Sequence, residues 1–278
     1  GPQINAASRI DDSSLASKLL ISNDIEQIDS ISRKLFLLNE KRKLIEAQIL
    51  DKAKEQASSQ FNSRFIIVYG DNWHQGVLGI IASKLSEIYY KPTIVISFIN
   101  NIGVGSARSI DHIDLGKIIL QANNQNILIN GGGHSMAAGL KIKAQNLEKF
   151  QDFMEKSLNS YDIKLFERIE LFDSIITLNE INLELIQSIN DLQPFGKGNP
   201  EPFFILKDAL IESIKIIKNK HILIFFENDL GYKMKGICFN SKETILGDYL
   251  EKYNQYQFYF ACTLTIDKFT SEPLPHLI

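Results

Sequence analysis

Between Ile25 and Ala57 apolar side chains return every three or four residues, at Ile28, Ile31, Leu35, Leu38, Ile45 and Ile49, with Arg42 filling one position of the seam. That spacing predicts a single helix, because no Pro or Gly interrupts it. About 30 residues at 1.5 Å each span ~45 Å, longer than a small domain needs, so the helix reads as a connector between domains. The other reading of the same seam is one half of a coiled-coil dimer.

The pattern then changes. RFIIVYG (Arg64–Gly70) is a buried-strand run, VLGIIASKLSEIYY (Val77–Tyr90) has helical spacing, and KPTIVISFI (Lys91–Ile99) is a strand led by Pro92. GVGSARSI (Gly103–Ile110) is a glycine-bearing strand or turn, LGKIILQANN (Leu115–Asn124) a helix, and MAAGLKIK (Met136–Lys143) mixes small residues with a strand. NLEKFQDFMEKSLNS (Asn146–Ser160) is an amphipathic helix. Strands alternating with helices predict a compact α/β domain over residues 59–160.

After Ser160 come short β-rich runs: FERIELFDSIITL, PFFILKDALIESIKIIK, HILIFFEND, YKMKGICF and QFYFACTLTIDKF. Turn signals separate them, and one helix, LNEINLELIQSIN (Leu178–Asn190), interrupts them. This spacing predicts a small antiparallel barrel over residues 161–278.

Composition narrows the classes. The 278 residues suit about two domains, and 44% hydrophobic with 23% charged residues is the balance of a folded chain. The net charge of −3 announces no polyanion partner, so any such contact must come from a local patch. Cys238 and Cys262 form no disulfide framework or CxxC knuckle and read as buried thiols of a reduced, cytoplasmic protein. No apolar run reaches membrane-span length and no signal peptide is visible, so no membrane is expected. The chain opens on GPQINAASRI without Met, as expected of a processed chain or a piece of a longer one.

Five stretches carry chemistry. In GGGHSMAAGL (Gly131–Leu140) three glycines precede His134. Glycine lets a ligand approach the main chain, and bare N–H groups there suit an anion. Packing alone would make the same stretch a tight turn with a structural histidine. In GVGSARS, Ser106 and Arg108 stand two apart; on extended backbone both face one way, and a guanidinium with a neighbouring hydroxyl suits a phosphate. DNWHQGVLGIIASKL reads as a helix start packed under Trp73, with His74 as a ligand candidate. NAASR places Asn5 and Arg9 ahead of a helix starting near Ser13 or Ser14. LQPFGKGNPEPFF reads as a rigid loop at a domain junction. None of the five histidines has a zinc or di-metal spacing, and Asp111-His112 is an isolated pair.

Taken in order, GPQINAASRI, NWHQGVLGIIASKL, GSARSI, GGGHSMAAGL and LQPFGKGNPEP resemble the RecJ family, bacterial 5′→3′ single-stranded-DNA exonucleases of the DHH phosphoesterase superfamily. The resemblance covers nearly the whole chain, and Ser8 stands where the family's GPxxNAAGR pattern has Gly. It implies that Gly1-Pro2 is native and that residues 1–24 are the tail of a DHH catalytic domain missing here. It further implies a connector helix over 25–58, a DHH-associated α/β domain over 59–160 and an OB-like single-stranded-DNA-binding barrel over 161–278. Mn²⁺ or Mg²⁺ would be bound by the missing domain and no metal by this chain, which alone would be inactive.

On this reading Arg9, Ser106, Arg108, Gly132, Gly133 and His134 hold phosphate, GGGH being a loop against the phosphodiester with His134 as an auxiliary. Asn5, His74, Lys215, Lys218, Lys220, Lys233 and Lys235 are further DNA-binding candidates, with Phe225, Phe226 and Tyr232 offering stacking faces, although phenylalanines in such runs equally suit a barrel core. Implied partners are DNA with a 5′ end, a single-strand-binding protein and a helicase, in a bacterial cytoplasm, for DNA repair and recombination. Two other readings stand beside this one: an oligoribonucleotide or cyclic-dinucleotide phosphodiesterase of the same superfamily, and a non-catalytic nucleic-acid-binding subunit.

Overall fold

A computed structural model describes residues 2–196, 198–267 and 270–277; Gly1 and Lys197 of the quoted motifs, and Lys268 and Phe269 of the last β-rich run, lie outside them. The chain forms two compact units that meet in sequence between Arg168 and Ile169.

The first unit opens with α1 (Pro2–Ile10), α2 (Ser14–Ile21) and α3 (Ile25–Ser58). Helix α3 starts at Asp24, whose carboxylate accepts the free N–H groups of Glu26 and Gln27. The connector seen in the sequence does not run bare. Ile31 and Leu35 are buried against Ala7 and Leu15, and Ile49, Ala53 and Ala57 enter a second core. The apolar seam is thus filled from within one chain. Between these two contacts Arg42 occupies the seam because it has a partner: its guanidinium donates to Glu46, which is only 6% exposed and accepts Lys84 Nζ at 2.6 Å on its other oxygen. Glu46→Gln is expected to cost about 1.5–3 kcal/mol, the worth of hydrogen bonds to a charged group. Thermal melting checks this against Glu40→Gln, which breaks an exposed pair with Lys43; equal shifts in the two variants would mean that Glu46 does not fasten α3.

The sheet follows as β1 (Ile66–Asp71), α4 (Gln75–Tyr89), β2 (Thr93–Ile99), β3 (Ile102–Arg108), α5 (Leu115–Asn124), β4 (Asn130–His134), β5 (Ala137–Lys143) and α6 (Leu147–Asn159). Strand order is β1-β2-β3-β5-β4, with β1 and β2 parallel across the α4 crossover and the other pairs antiparallel. One face packs on α5 and α6, through Ile94, Ile96, Ala107, Leu140 and Ile142 against Ile118, Ile119, Phe150 and Met154. On the other face Ile66, Val68 and Val95 pack on α3 and α4. Strand β2, covered on both faces, is buried from Thr93 to Phe98, whereas β3 and β5 alternate.

The second unit contains β6 (Ser174–Ile176), α7 (Leu183–Asn190), β7 (Phe204–Leu206), β8 (Leu210–Ile217), β9 (His221–Glu227), β10 (Lys233–Cys238), α8 (Ile245–Glu251), β11 (Phe260–Ile266) and β12 (Pro273–Leu277). They make one sheet of order β6-β7-β11-β12-β10-β9-β8. It departs from the expected all-antiparallel pairing: β6 and β7 are parallel, as are β10 and β12. Parallel neighbours need long connections, and the segments holding α7 and α8 supply them. Ile222, Ile224 and Phe226 of β9 enter the core with Phe204, Leu206, Cys262 and Ile186.

Two local expectations change. The helix read over Leu178–Asn190 is a 3-10 turn at Leu178–Glu180 followed by α7, because Asn182 is extended and its side chain accepts from Leu185 N to start a new helix. The LQPFG loop lies inside the second unit instead of at a junction. There the Asn199 amide donates to the carbonyls of Leu192 and Pro194 and closes the loop on itself.

Candidate nucleic-acid interface

Cross-strand register places the candidate residues of the first unit. Paired residues share a face. Arg108 pairs with Ala137, which pairs with His134; Ser106 pairs with Gly139, which pairs with Gly132; Val104 pairs with Lys141, which pairs with Asn130; and Ile102 pairs with Lys143. Four rows thus lie on one side of the sheet. The GGGH stretch is not the loop expected from sequence but the edge strand β4, in a hairpin whose turn is Ser135-Met136. The glycines explain this. A Cβ at Gly133 would collide with the Ala137 carbonyl and with Ala138, and one at Gly131 would press into Leu128 and Ile119. Glycine therefore lets the edge strand lie close against β5 and α5.

Gly132 differs from these. A Cβ there meets nothing within 4 Å, and one at its partner Gly139 meets only the Gly105 carbonyl at 3.9 Å. The floor of this face is bare backbone. A shallow depression of about 460 Å³ lies along it, lined by Asn130, Gly131, Gly132, Gly139, Leu140 and Lys141. His134, Lys141 and Lys143 are exposed around it. Neither lysine forms an ion pair among the described residues.

Helix α4 walls the other side. A Cβ at Gly79 would lie 2.9 Å from Arg108 Nη2 and 3.2 Å from Ser106 Oγ, and one at Gly76 would collide with the Arg9 carbonyl. Gly76 and Gly79 are three apart and share a helix face, so α1 and β3 both close onto α4 there. Arg9 Nη1 donates to the Gly76 carbonyl at 3.3 Å; Arg108 Nη1 donates to Ser106 Oγ at 3.2 Å and to the Ala107 carbonyl at 2.8 Å. Burial first, and then the charge of Arg9, pulls the Arg108 guanidinium below its ordinary pKa. No carboxylate pairs with either arginine among the described residues, and two converging cations without a counter-charge suit an anion. Asn5 is exposed one turn before Arg9 on the same face of α1.

His74 has a local task. Its Nδ1 accepts from Gly76 N at the start of α4, beside buried Trp73. Among the described residues no three His, Cys, Asp or Glu side chains gather to hold a metal. Asp111 and His112 sit in a turn. No helix among the described residues is long and apolar enough to cross a membrane.

In the second unit the candidate lysines divide. Lys233 bonds Glu212 at 2.7 Å and Glu227 at 3.3 Å, which push its pKa up; Lys235 bonds Asp267 at 2.7 Å. Their charges are already matched. Lys215, Lys218 and Lys220 are exposed on and after β8 with no ion pair among the described residues. Of the three proposed stacking rings, Phe226 is fully buried and belongs to the core, because it points to the inner face of β9; Tyr232 is exposed.

Residues 62–160 match the DHHA1 domain and residues 172–277 the RecJ OB domain. This is a RecJ-type pairing of DHHA1 and OB domains. The chain is 31% identical over 260 residues to the single-stranded-DNA-specific exonuclease RecJ of Haemophilus influenzae, across 89% of this chain and 45% of that protein. It is 30% identical over 266 residues to the RecJ of Bacillus subtilis, across 89% of this chain and 33% of that protein. It therefore spans less than half the length of these relatives. The crystal structure of RecJ in complex with Mn²⁺ from Thermus thermophilus shares the fold, with a TM-score of 0.79 at 21% identity over 99% of this chain and 39% of that one. A structure of exonuclease RecJ bound to manganese matches at a TM-score of 0.54 and 28% identity, over 60% of this chain and 41% of that one.

Four residues of the first site, Gly79, Gly139, Lys141 and Lys143, escape the reading of the RecJ-type sequence. Two signals point to them: glycines three apart inside a helical run, and the period-two series Ala137, Gly139, Lys141, Lys143.

Proposed function

We propose that this chain supplies the substrate-holding region of a bacterial single-stranded-DNA-specific 5′→3′ exonuclease. The observation that carries the reading is the open sheet face, with bare backbone at Gly132 and Gly139 ringed by Ser106, Arg108, His134, Lys141 and Lys143. A phosphodiester fits a floor without side chains and a rim of cations. Arg9 and Arg108 hold the most concentrated charge and receive the terminal 5′-phosphate; Asn5 lies beside them, and His134 donates to a bridging phosphate. The divalent ions named for the relatives supply hydrolytic chemistry from outside this residue set, in a full enzyme acting in DNA repair and recombination. That reading brings with it the bacterial cytoplasm, a single-strand-binding protein and a helicase as working partners. The RecJ OB domain over residues 172–277 favours a polymeric strand over a dinucleotide.

The test is an anisotropy titration of the full chain with single- and double-stranded oligonucleotides of one sequence over a range of salt. Single strands are expected to bind more tightly, with affinity falling as salt rises through counterion release. Changing Lys215, Lys218 and Lys220 together to glutamine is expected to flatten the salt slope by about two, at roughly 0.7 per phosphate contact on single strands. Lys233→Gln with Lys235→Gln should change it far less, since those charges are spent on carboxylates. Absence of single-strand binding at low salt would refute the proposed function. Equal slopes for all variants would remove the lysines from it.

A further inference from the structure

One end of the outer sheet face in the second unit carries a group that the sequence does not single out. Phe239, just after β10, sits between two histidines from other strands: His221 of β9 with ring centroids at 5.2 Å and His276 of β12 at 4.9 Å, each at 83° to it. Backbone pairing brings them together. Ile237 of β10 pairs with both Leu223 and His276, so this end of β9, β10 and β12 lies side by side. The turn is fastened as well, since Asn240 N donates to His221 Nδ1 at 3.0 Å. Phe239 is nevertheless 48% exposed. A phenylalanine held in one orientation and left half in solvent is unusual for core packing, which would bury it.

The surroundings are basic. Lys215 pairs with Leu223 on the same outer face, Lys218 and Lys220 lie in the turn from β8 into His221, and Lys242 lies three residues after Phe239, its N–H donating to the Lys220 carbonyl. None of the four makes an ion pair among the described residues. Glu243 is the acid closest in sequence to this turn.

We propose that Phe239, held by edge contacts with His221 and His276, is the stacking platform for an unpaired nucleobase, with Lys215, Lys218, Lys220 and Lys242 taking the adjoining phosphates. A fixed, exposed ring amid unpaired cations is the arrangement that holds single strands without reading their sequence. The assignment rests on the single-strand reading above and adds to it the place where a base is gripped. The half-exposed ring at this end of the outer face is Phe239, whereas Phe226 is buried.

The experiment compares the full chain and its variants on an oligothymidylate and on an abasic oligonucleotide of equal length and charge. The unaltered chain is expected to bind the oligothymidylate more tightly. Phe239→Ala should weaken oligothymidylate binding roughly tenfold and leave abasic binding nearly unchanged, while Phe239→Trp keeps the preference. Phe239→Leu retains apolar volume without a π face and carries the test if the alanine variant melts early. Full oligothymidylate affinity in Phe239→Leu would overturn the platform while leaving the single-strand reading intact. So would equal binding of both oligonucleotides by the unaltered chain, which would leave the patch a phosphate contact alone. Binding of neither oligonucleotide would remove the single-strand reading and the platform with it.

Discussion

Replacing Arg108 with alanine is expected to weaken binding of 5′-phosphorylated single-stranded DNA about 10- to 100-fold. A hydrogen bond to a charged group contributes roughly 1.5–3 kcal/mol, and ~1.4 kcal/mol is tenfold. The guanidinium is held in place before any ligand arrives, by Ser106 Oγ, the Ala107 carbonyl and the close approach to Gly79. It is also half-buried beside Arg9, whose charge opposes its own. A terminal phosphate carries more negative charge than an internal diester and relieves that opposition more fully. Matched oligonucleotides with a 5′-hydroxyl should therefore lose much less, and the preference between the two ends should shrink. Arg108→Lys is expected to restore only part, because an ammonium keeps the charge and loses the planar fork. The measurement is the Kd for both oligonucleotides at one salt concentration. Equal losses on the two would mean that Arg108 grips the strand generally and does not read its end.

Adjacent glycines should fail in opposite ways. Gly133→Ala places a methyl group into the Ala137 carbonyl and Ala138, backbone that cannot swing aside, so the hairpin must shift. Overpacking of this kind costs ~1–3 kcal/mol, and the first unit should melt several degrees lower. Gly132→Leu adds a larger side chain where nothing lies within 4 Å, so melting should barely move. That side chain stands on the bare floor, however, and keeps phosphate from the main chain. Single-strand affinity should fall about tenfold, the loss of one charge-assisted contact. Melting curves and anisotropy on both variants decide it. Undiminished binding by Gly132→Leu would show that the strand does not cross the floor between Gly132 and Gly139.

Much of this molecule follows from local pattern. The unbroken three-and-four spacing after Ile25 determines the helix at Ile25–Ser58, and alternation of apolar runs determines the α/β character of the first unit and the β-rich character of the second. Ser106 and Arg108 share a face because extended backbone alternates, which needs no neighbour to be known. Local pattern stops at pairing. The three glycines have no side chains to show period two, so only their register against β5 reveals a strand, and only the neighbouring strand and helix show which glycine is packed and which is open. Lys233 and Lys215 look alike along the chain; carboxylates from other strands neutralise the first and not the second. Phe226 and Phe239 likewise differ by which side of a folded sheet each ring meets. Sequence determines what a residue can do within a few neighbours along the chain. Burial, counter-charge and open backbone are set by residues far apart in sequence, such as Gly79 against Arg108 and Phe239 against His276, and only the tertiary structure decides them.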